Sequence, residues 1–271
     1  MRDARLKLLA REEVMTTKVK PYPGTQAVLR AVSLLKMFDD SRQEWGLSEL
    51  AQEVGLNKTT TYRLLTALES EGMVARQAND TYTLGPEIVV LGGRALRNND
   101  LRTVSKPALE AMAAATGETA TLEVLSGYEV VIIDEVVGEH LMASAQSIGT
   151  RWPAFVTSTG KAMMAYLPPA ELDAILSRPL LRMTPKTITD PDALRRELAE
   201  IREQGYAVAG ETLEMGLVVV GAAVRNHDGK VIAAISLGGP SVRITPDRVP
   251  EIGALVVAAA ARISVQLGYR V

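Results

Sequence analysis

Residues 48–84 read as a short helix, a glycine turn, a second helix and two short strands, an order that few folds accommodate. Residues 48–54 form a helical stretch that Ser48 is able to cap, and Gly55 breaks it. Leu56-Asn57 turn the chain, and Asn57 suits the N-cap of a helix that runs to about Ser70 and closes at Gly72. Residues 73–76 and 81–84 read as strands joined at Ala78-Asn79-Asp80. A helix over residues 25–38 precedes them, with Ala27, Ala31, Leu34, Leu35 and Phe38 recurring near the 3.6-residue period. Three helices followed by a hairpin is the order of a winged helix-turn-helix.

In the third of these helices Thr61, Leu64, Leu65 and Leu68 share one face, which therefore packs inward. The other face carries Thr59, Tyr62, Arg63 and Thr66, with Lys58 at its start, and no acid falls between Asn57 and Leu68. Hydroxyls and an arginine near a helix start suit the phosphates and base edges of a major groove. Arg76, at the base of the hairpin, is a candidate phosphate contact. Alone, such a helix start reads more readily as solvated surface; the turn before it and the hairpin after it favour double-stranded DNA. Bulk charge lends no support, because residues 1–100 hold 14 Lys/Arg against 13 Asp/Glu and residues 101–271 hold 16 against 19. A winged helix used for protein contacts stays open.

The rest of the chain mixes helices and strands. Pro86 suits the first turn of a helix over residues 86–98, read as a connector. Helices follow at 101–115, 158–167, 169–176 and 191–204, the last capped by Asp190, and a final one runs from a Thr245 cap to about Leu267. Strands are expected at 120–125, 130–137, 141–147, 206–209, 217–225 and 230–237. The alternation is not strict βαβ, so the class is α+β, with an antiparallel sheet flanked by helices. The expected division is a tail over 1–22, a winged helix-turn-helix over 23–85, a linker helix over 86–100 and a second domain over 101–271. Met15-Thr16-Thr17 reads as well for a start as Met1 does.

Several chemistries are disfavoured. There is no cysteine, and the two histidines, His140 and His227, do not stand at metal-ligand spacing, so no metal or cofactor is expected. Gly160-Lys161 lacks the earlier glycine and following hydroxyl of a phosphate loop, with Phe155 and Ala162 in those places. Ser158 lacks the flanking glycines of a nucleophile elbow, so no enzyme is expected, although a sensor with activity stays open. No apolar run approaches bilayer-spanning length, and a cytoplasmic protein is expected, with no membrane partner.

Thr157-Ser158-Thr159 precedes a helix, where free N–H groups favour anions, and Trp152 and Phe155 supply apolar walls. Those residues suit an organic acid.

The chain resembles the IclR family, named for the isocitrate lyase regulator. Residues 25–85 carry Arg30-Ala31, Leu50-Ala51, Gly55-Leu56, Lys58, Thr60, Arg63-Leu64-Leu65, Leu68, Gly72 and Tyr82-Thr83-Leu84-Gly85 in the family's order. Beyond them come Gly117-Glu118-Thr119, Gly160-Lys161-Ala162, Thr184-Pro185-Lys186-Thr187-Ile188-Thr189, Gly205-Tyr206-Ala207, Gly216, Ser236 and Pro240 with Arg243. The resemblance implies a transcriptional regulator, repressor or activator, with a GAF-like effector-binding domain and a homodimer or homotetramer. The candidate DNA contacts are Lys58, Thr59, Thr60, Tyr62, Arg63, Thr66 and Arg76. For the effector the resemblance implies Ser144, Trp152, Ser158 and Thr159, together with Gly210, Leu217, Val219, Ser236 and Gly238. Leu217 and Val219 read equally well as ordinary strand core. The loop Ala209-Gly210-Glu211-Thr212 departs from the acidic stretch many members carry, and the cysteine some have near Val219 is absent, which suits a larger or more apolar ligand than the smallest keto-acids.

Overall fold

The computed structural model describes residues 24–39, 41–97, 100–139 and 147–270. The expected tail, His140, Ser144 and most of the strand expected at 141–147 lie outside the described residues. The chain divides into two compact units, Met1–Asn98 and Asn99–Val271.

The first unit runs α1 (Gln26–Leu35), β1 (Trp45–Gly46), α2 (Leu47–Val54), α3 (Lys58–Ser70), β2 (Val74–Arg76), β3 (Thr81–Leu84) and α4 (Pro86–Arg97). Leu34, Leu50, Leu65 and Tyr82 close one small core, with Phe38, Trp45 and Val74. Three details differ from the sequence expectation. Ser48 lies inside α2; Gly46 is the N-cap residue, and its N–H donates to Glu49 Oε2 at 3.0 Å. α1 ends at Leu35, short of Phe38. The hairpin gains a third strand, because Trp45-Gly46 pairs with Thr81-Tyr82 in a β1-β3-β2 sheet. Trp45 is held there by its indole N–H to Met37 O at 3.1 Å and by the Arg42 guanidinium stacked 3.8 Å from its ring.

The second unit runs α5 (Asp100–Thr116), β4 (Thr119–Ser126), β5 (Glu129–Val136), β6 (Arg151–Pro153), a 3-10 turn (Ala154–Val156), α6 (Ser158–Met164), α7 (Pro169–Leu176) and α8 (Pro191–Gln204). It ends with β7 (Ala207–Gly210), β8 (Leu217–Arg225), β9 (Val231–Pro240) and α9 (Val249–Gln266). The six strands form one sheet in the order β6-β5-β4-β9-β8-β7, with every neighbouring pair antiparallel. β6 was not anticipated, and Thr245 begins a turn rather than capping α9, whose N-cap is Arg248.

Alternation along the strands separates two apolar layers. Leu122, Val220, Ala222, Ile235 and Leu237 face α5 and α9, while Val130, Ala207 and Ala234 join the layer built by α6, α7 and α8. The expectation that no apolar run nears bilayer-spanning length needs correcting at α9, an 18-residue helix of mean hydropathy 1.4. Ile252, Val256, Ala259 and Ile263 of that helix are buried in the first layer. Arg243 donates to both oxygens of buried Glu118, at 2.6 and 2.8 Å, tying the chain after β9 to the chain before β4.

Candidate functional site

Two surfaces carry chemistry, one in each unit. On α3, the Asn57 side chain accepts the Thr60 N–H at 2.8 Å, fixing the helix start. Thr61 and Leu65 are fully buried, which turns Lys58, Thr59, Tyr62, Arg63 and Thr66 outward and leaves Thr60 half-buried. Among the described residues nothing pairs with Lys58 or Arg63. The Thr66 hydroxyl donates to Tyr62 O at 2.9 Å, so it offers lone pairs rather than its proton. Arg76 is exposed but engaged by Asp80 at 2.8 Å across the wing turn.

The second surface is a small, partly open cavity on the α6 side of the larger sheet. Its apolar wall is Leu213, Leu217, Val219 and Ala209, and its polar wall is Glu123, Thr157, Ser158, Thr159 and Ser236, with Trp152 at one end. The start of α6 sets the geometry. Thr157 Oγ1 accepts the Gly160 N–H at 3.0 Å, leaving the Ser158 and Thr159 amides outside the helical ladder. Gly160 lets the helix seat on the 3-10 turn, since a Cβ there would come 2.1 Å from Ala154 O. Gly221 of β8 makes room for Ser158 Oγ in the same way, 2.9 Å from where its own Cβ would stand. Lys161, buried behind this turn, donates to Glu197 Oε1 at 2.7 Å and Val208 O at 3.3 Å.

The mouth is held by the threonine motif. Thr184 Oγ1 donates to Glu211 O and Thr187 Oγ1 to Thr212 O, at 2.7 and 2.8 Å, while the Thr212 hydroxyl donates to Val156 O at 2.7 Å. The Lys186 ammonium, closely paired with Glu211, holds that carboxyl below its usual range, helped by the Gly216 N–H. These bonds fix the loop that brings Leu213 to the cavity.

The structure brings together Trp152, Ser158, Thr159, Leu217, Val219 and Ser236 from the sequence expectation. Gly210 does not line the cavity: by strand alternation its place falls on the opposite face, and Ala209 takes the lining position. Gly238 faces the right way, but Val219 Cγ2 fills the space over it, 3.2 Å from a Cβ there. Phe155 lies in the core layer instead of the cavity wall.

Sequence reasoning missed Glu123. Its carboxylate accepts the Thr159 hydroxyl at 2.6 Å and the Thr121 hydroxyl at 2.9 Å, and Thr121 shares a 2.8 Å bond with Ser236 across the β4–β9 ladder. Burial pushes the Glu123 carboxyl above its usual range, against the two hydroxyl bonds that pull it down. Trp152 Nε1 and Ser158 Oγ are buried with no hydrogen-bond partner among the described residues. The one signal in the sequence was an acid inside an apolar strand, Thr121-Leu122-Glu123-Val124.

The fold is thus a winged helix and a sheet domain with a small cavity walled by polar and apolar side chains, the architecture of a ligand-sensing regulator. Residues 27–78 match the IclR helix-turn-helix domain, and residues 93–265 match the bacterial transcriptional regulator IclR C-terminal domain. The transcriptional repressor IclR of Escherichia coli is 34% identical over 248 residues, covering 90% of each chain. A crystallised transcriptional regulator from Alicyclobacillus acidocaldarius superposes with a TM-score of 0.80 at 31% identity, over 89% of this chain and 98% of that one. An IclR homologue from Microbacterium hydrocarbonoxydans, crystallised with 4-hydroxybenzoate, gives 0.77 at 27% identity, over 89% and 98%. The chain belongs to the IclR family of DNA-binding transcriptional regulators, and it is a regulator rather than an enzyme.

Proposed function

We propose that this regulator's operator affinity is set by an organic acid with an apolar body, bound carboxylate-first at Ser158-Thr159. The observation that carries the reading is the pair of buried donors in the cavity wall, Trp152 Nε1 and Ser158 Oγ, without partners among the described residues. An unmet buried donor costs about 1–3 kcal/mol, which an acceptor-bearing ligand relieves. The Thr159 hydroxyl is committed to Glu123, so the carboxylate takes the indole N–H, the Ser158 hydroxyl and the first amides of α6. The body of the ligand lies against Leu213, Leu217 and Val219, where burial contributes roughly 25 cal/mol per Å². The homologue holding 4-hydroxybenzoate supports an aromatic acid.

Lys58, Thr59, Thr60, Tyr62, Arg63 and Thr66 meet the operator, and Arg76 joins them when phosphate displaces Asp80. One short helix reads few base pairs, so the chain works as a homodimer or a dimer of dimers, in the cytoplasm. Exposed Val28, Leu29 and Val32 on α1 and Val89 on α4 supply apolar surface for that assembly. Thermal shift over a panel of organic acids tests the sensor reading, since a ligand at ~100 times its Kd adds about 2.7 kcal/mol. Gel shifts on genomic fragments selected by the protein itself then read the coupling. No stabilising acid, or one that leaves DNA affinity unchanged, overturns the proposal.

A further inference from the structure

We propose that Glu123 is the specificity-determining residue of this cavity, and that the effector it admits carries a hydrogen-bond donor, a hydroxyl or an amino group, beside its carboxylate. The inference rests on the organic-acid reading above and deepens it.

Hydroxyl direction carries the argument. Thr159 and Thr121 both give their protons to Glu123. Each hydroxyl has one proton, so the bond between Thr121 and Ser236 takes its proton from Ser236. Two hydroxyl protons therefore point at Glu123, from Thr121 of β4 and Thr159 of α6, while Ser236 gives its own to Thr121, and this wall presents lone pairs to the cavity. The opposite side, at Trp152 Nε1 and Ser158 Oγ, has protons to give and no acceptor for them among the described residues. A ligand that meets both walls has an acceptor at one end and a donor at the other.

A plain acid satisfies only the donor side and brings its charge toward a carboxylate that no cation among the described residues balances. The cations and acids around Glu123 do not change that. Lys161 of α6 is spent on Glu197, and Arg151 of β6 is spent on Glu129. Glu135 of β5, opposite Thr121 in the ladder, is itself an acid.

Calorimetry on the full chain with two matched sets decides the matter: phenylacetate, mandelate and phenylglycine, and benzoate, 4-hydroxybenzoate and 4-aminobenzoate. In at least one set a substituted acid should bind ~10-fold or more tightly than its parent, the worth of one good buried hydrogen bond. The hydroxyl and amino arms identify the donor. Glu123→Ala should reduce the preference to within about 3-fold, because the acceptor is gone. Glu123→Gln keeps an acceptor for a threonine, adds an N–H₂ donor and should bind the parent acid more tightly than wild type does. Parent and substituted acids binding alike to wild type would overturn the role of Glu123 alone, as would a preference surviving in both variants. Failure of all six to bind would overturn the acid-effector reading and this inference with it.

Discussion

Lys161 is the bulkiest fully buried side chain among the described residues, and its substitution by methionine separates its charge from its volume. The ammonium holds Glu197 Oε1 at 2.7 Å and Val208 O at 3.3 Å, while Glu197 Oε2 is already buried without a partner among the described residues. Lys161→Met keeps the hydrocarbon stem and leaves an uncompensated carboxylate. Removing one partner of a buried pair costs about 3–5 kcal/mol. Glu197 keeps 23% of its side chain in solvent, which places this pair near the low end. For a unit of this size ~3 kcal/mol lowers the Tm by about 6–12 °C. The double variant Lys161→Met/Glu197→Met should recover most of the loss, since apolar isosteres of buried pairs are often neutral or better. Differential scanning calorimetry of the transition of the larger unit reads both. A single variant that loses less than about 1 kcal/mol, or a double variant no better than the single, refutes the reasoning. Ligand affinity should fall with the single variant too, because α6 carries Ser158 and Thr159.

Arg63→Ala should weaken operator binding by ~1–3 kcal/mol while leaving the melting curve unchanged, because the side chain is exposed and unpaired among the described residues; gel-shift titration measures it. Gly160→Ala should destabilise the larger unit by about 1–3 kcal/mol in urea, as the new Cβ drives α6 off the 3-10 turn. Glu123→Gln should change the pH dependence of stability. Burial raises the Glu123 pKa, so the folded chain holds that proton more tightly than the unfolded chain does. Stability from this group is complete below the ordinary carboxylate range and is lost as pH rises through the raised value. The variant escapes that loss, so its Tm relative to wild type should rise from about pH 4 to about pH 8. A constant difference would mean that Glu123 titrates normally.

The winged helix was readable because its signals are local. Asn57 caps α3, Gly72 closes it with φ +68, and the 3.6-residue repeat of Thr61, Leu65 and Leu68 orients its outer face. What failed there was also local, but competitive. Ser48 and Glu49 both offer oxygens to the start of α2, and the backbone chose Gly46 as N-cap, with Glu49 reaching back to it. β1 escaped notice because two residues have no period; Trp45-Gly46 becomes a strand only through its pairing with β3.

The cavity was half legible for a different reason. A period of two sorts the residues of one strand onto two faces but does not say which face meets solvent, core or ligand. The Ser158-Thr159 turn was found from its sequence, and Leu217, Val219 and Ser236 were carried over by resemblance. Gly210 was misplaced by a single step of the same alternation, with Ala209 on the cavity side. Glu123 shares its face with Thr121 and Leu125, a pattern that an exposed strand edge would also produce. Its burial depends on β9 supplying Ser236 and on α6 supplying Thr159, residues 115 and 36 positions away from their partners in that network. Those partners decide whether an acid in a strand is a solvated surface charge or the acceptor in a closed wall, and only the tertiary fold assembles them.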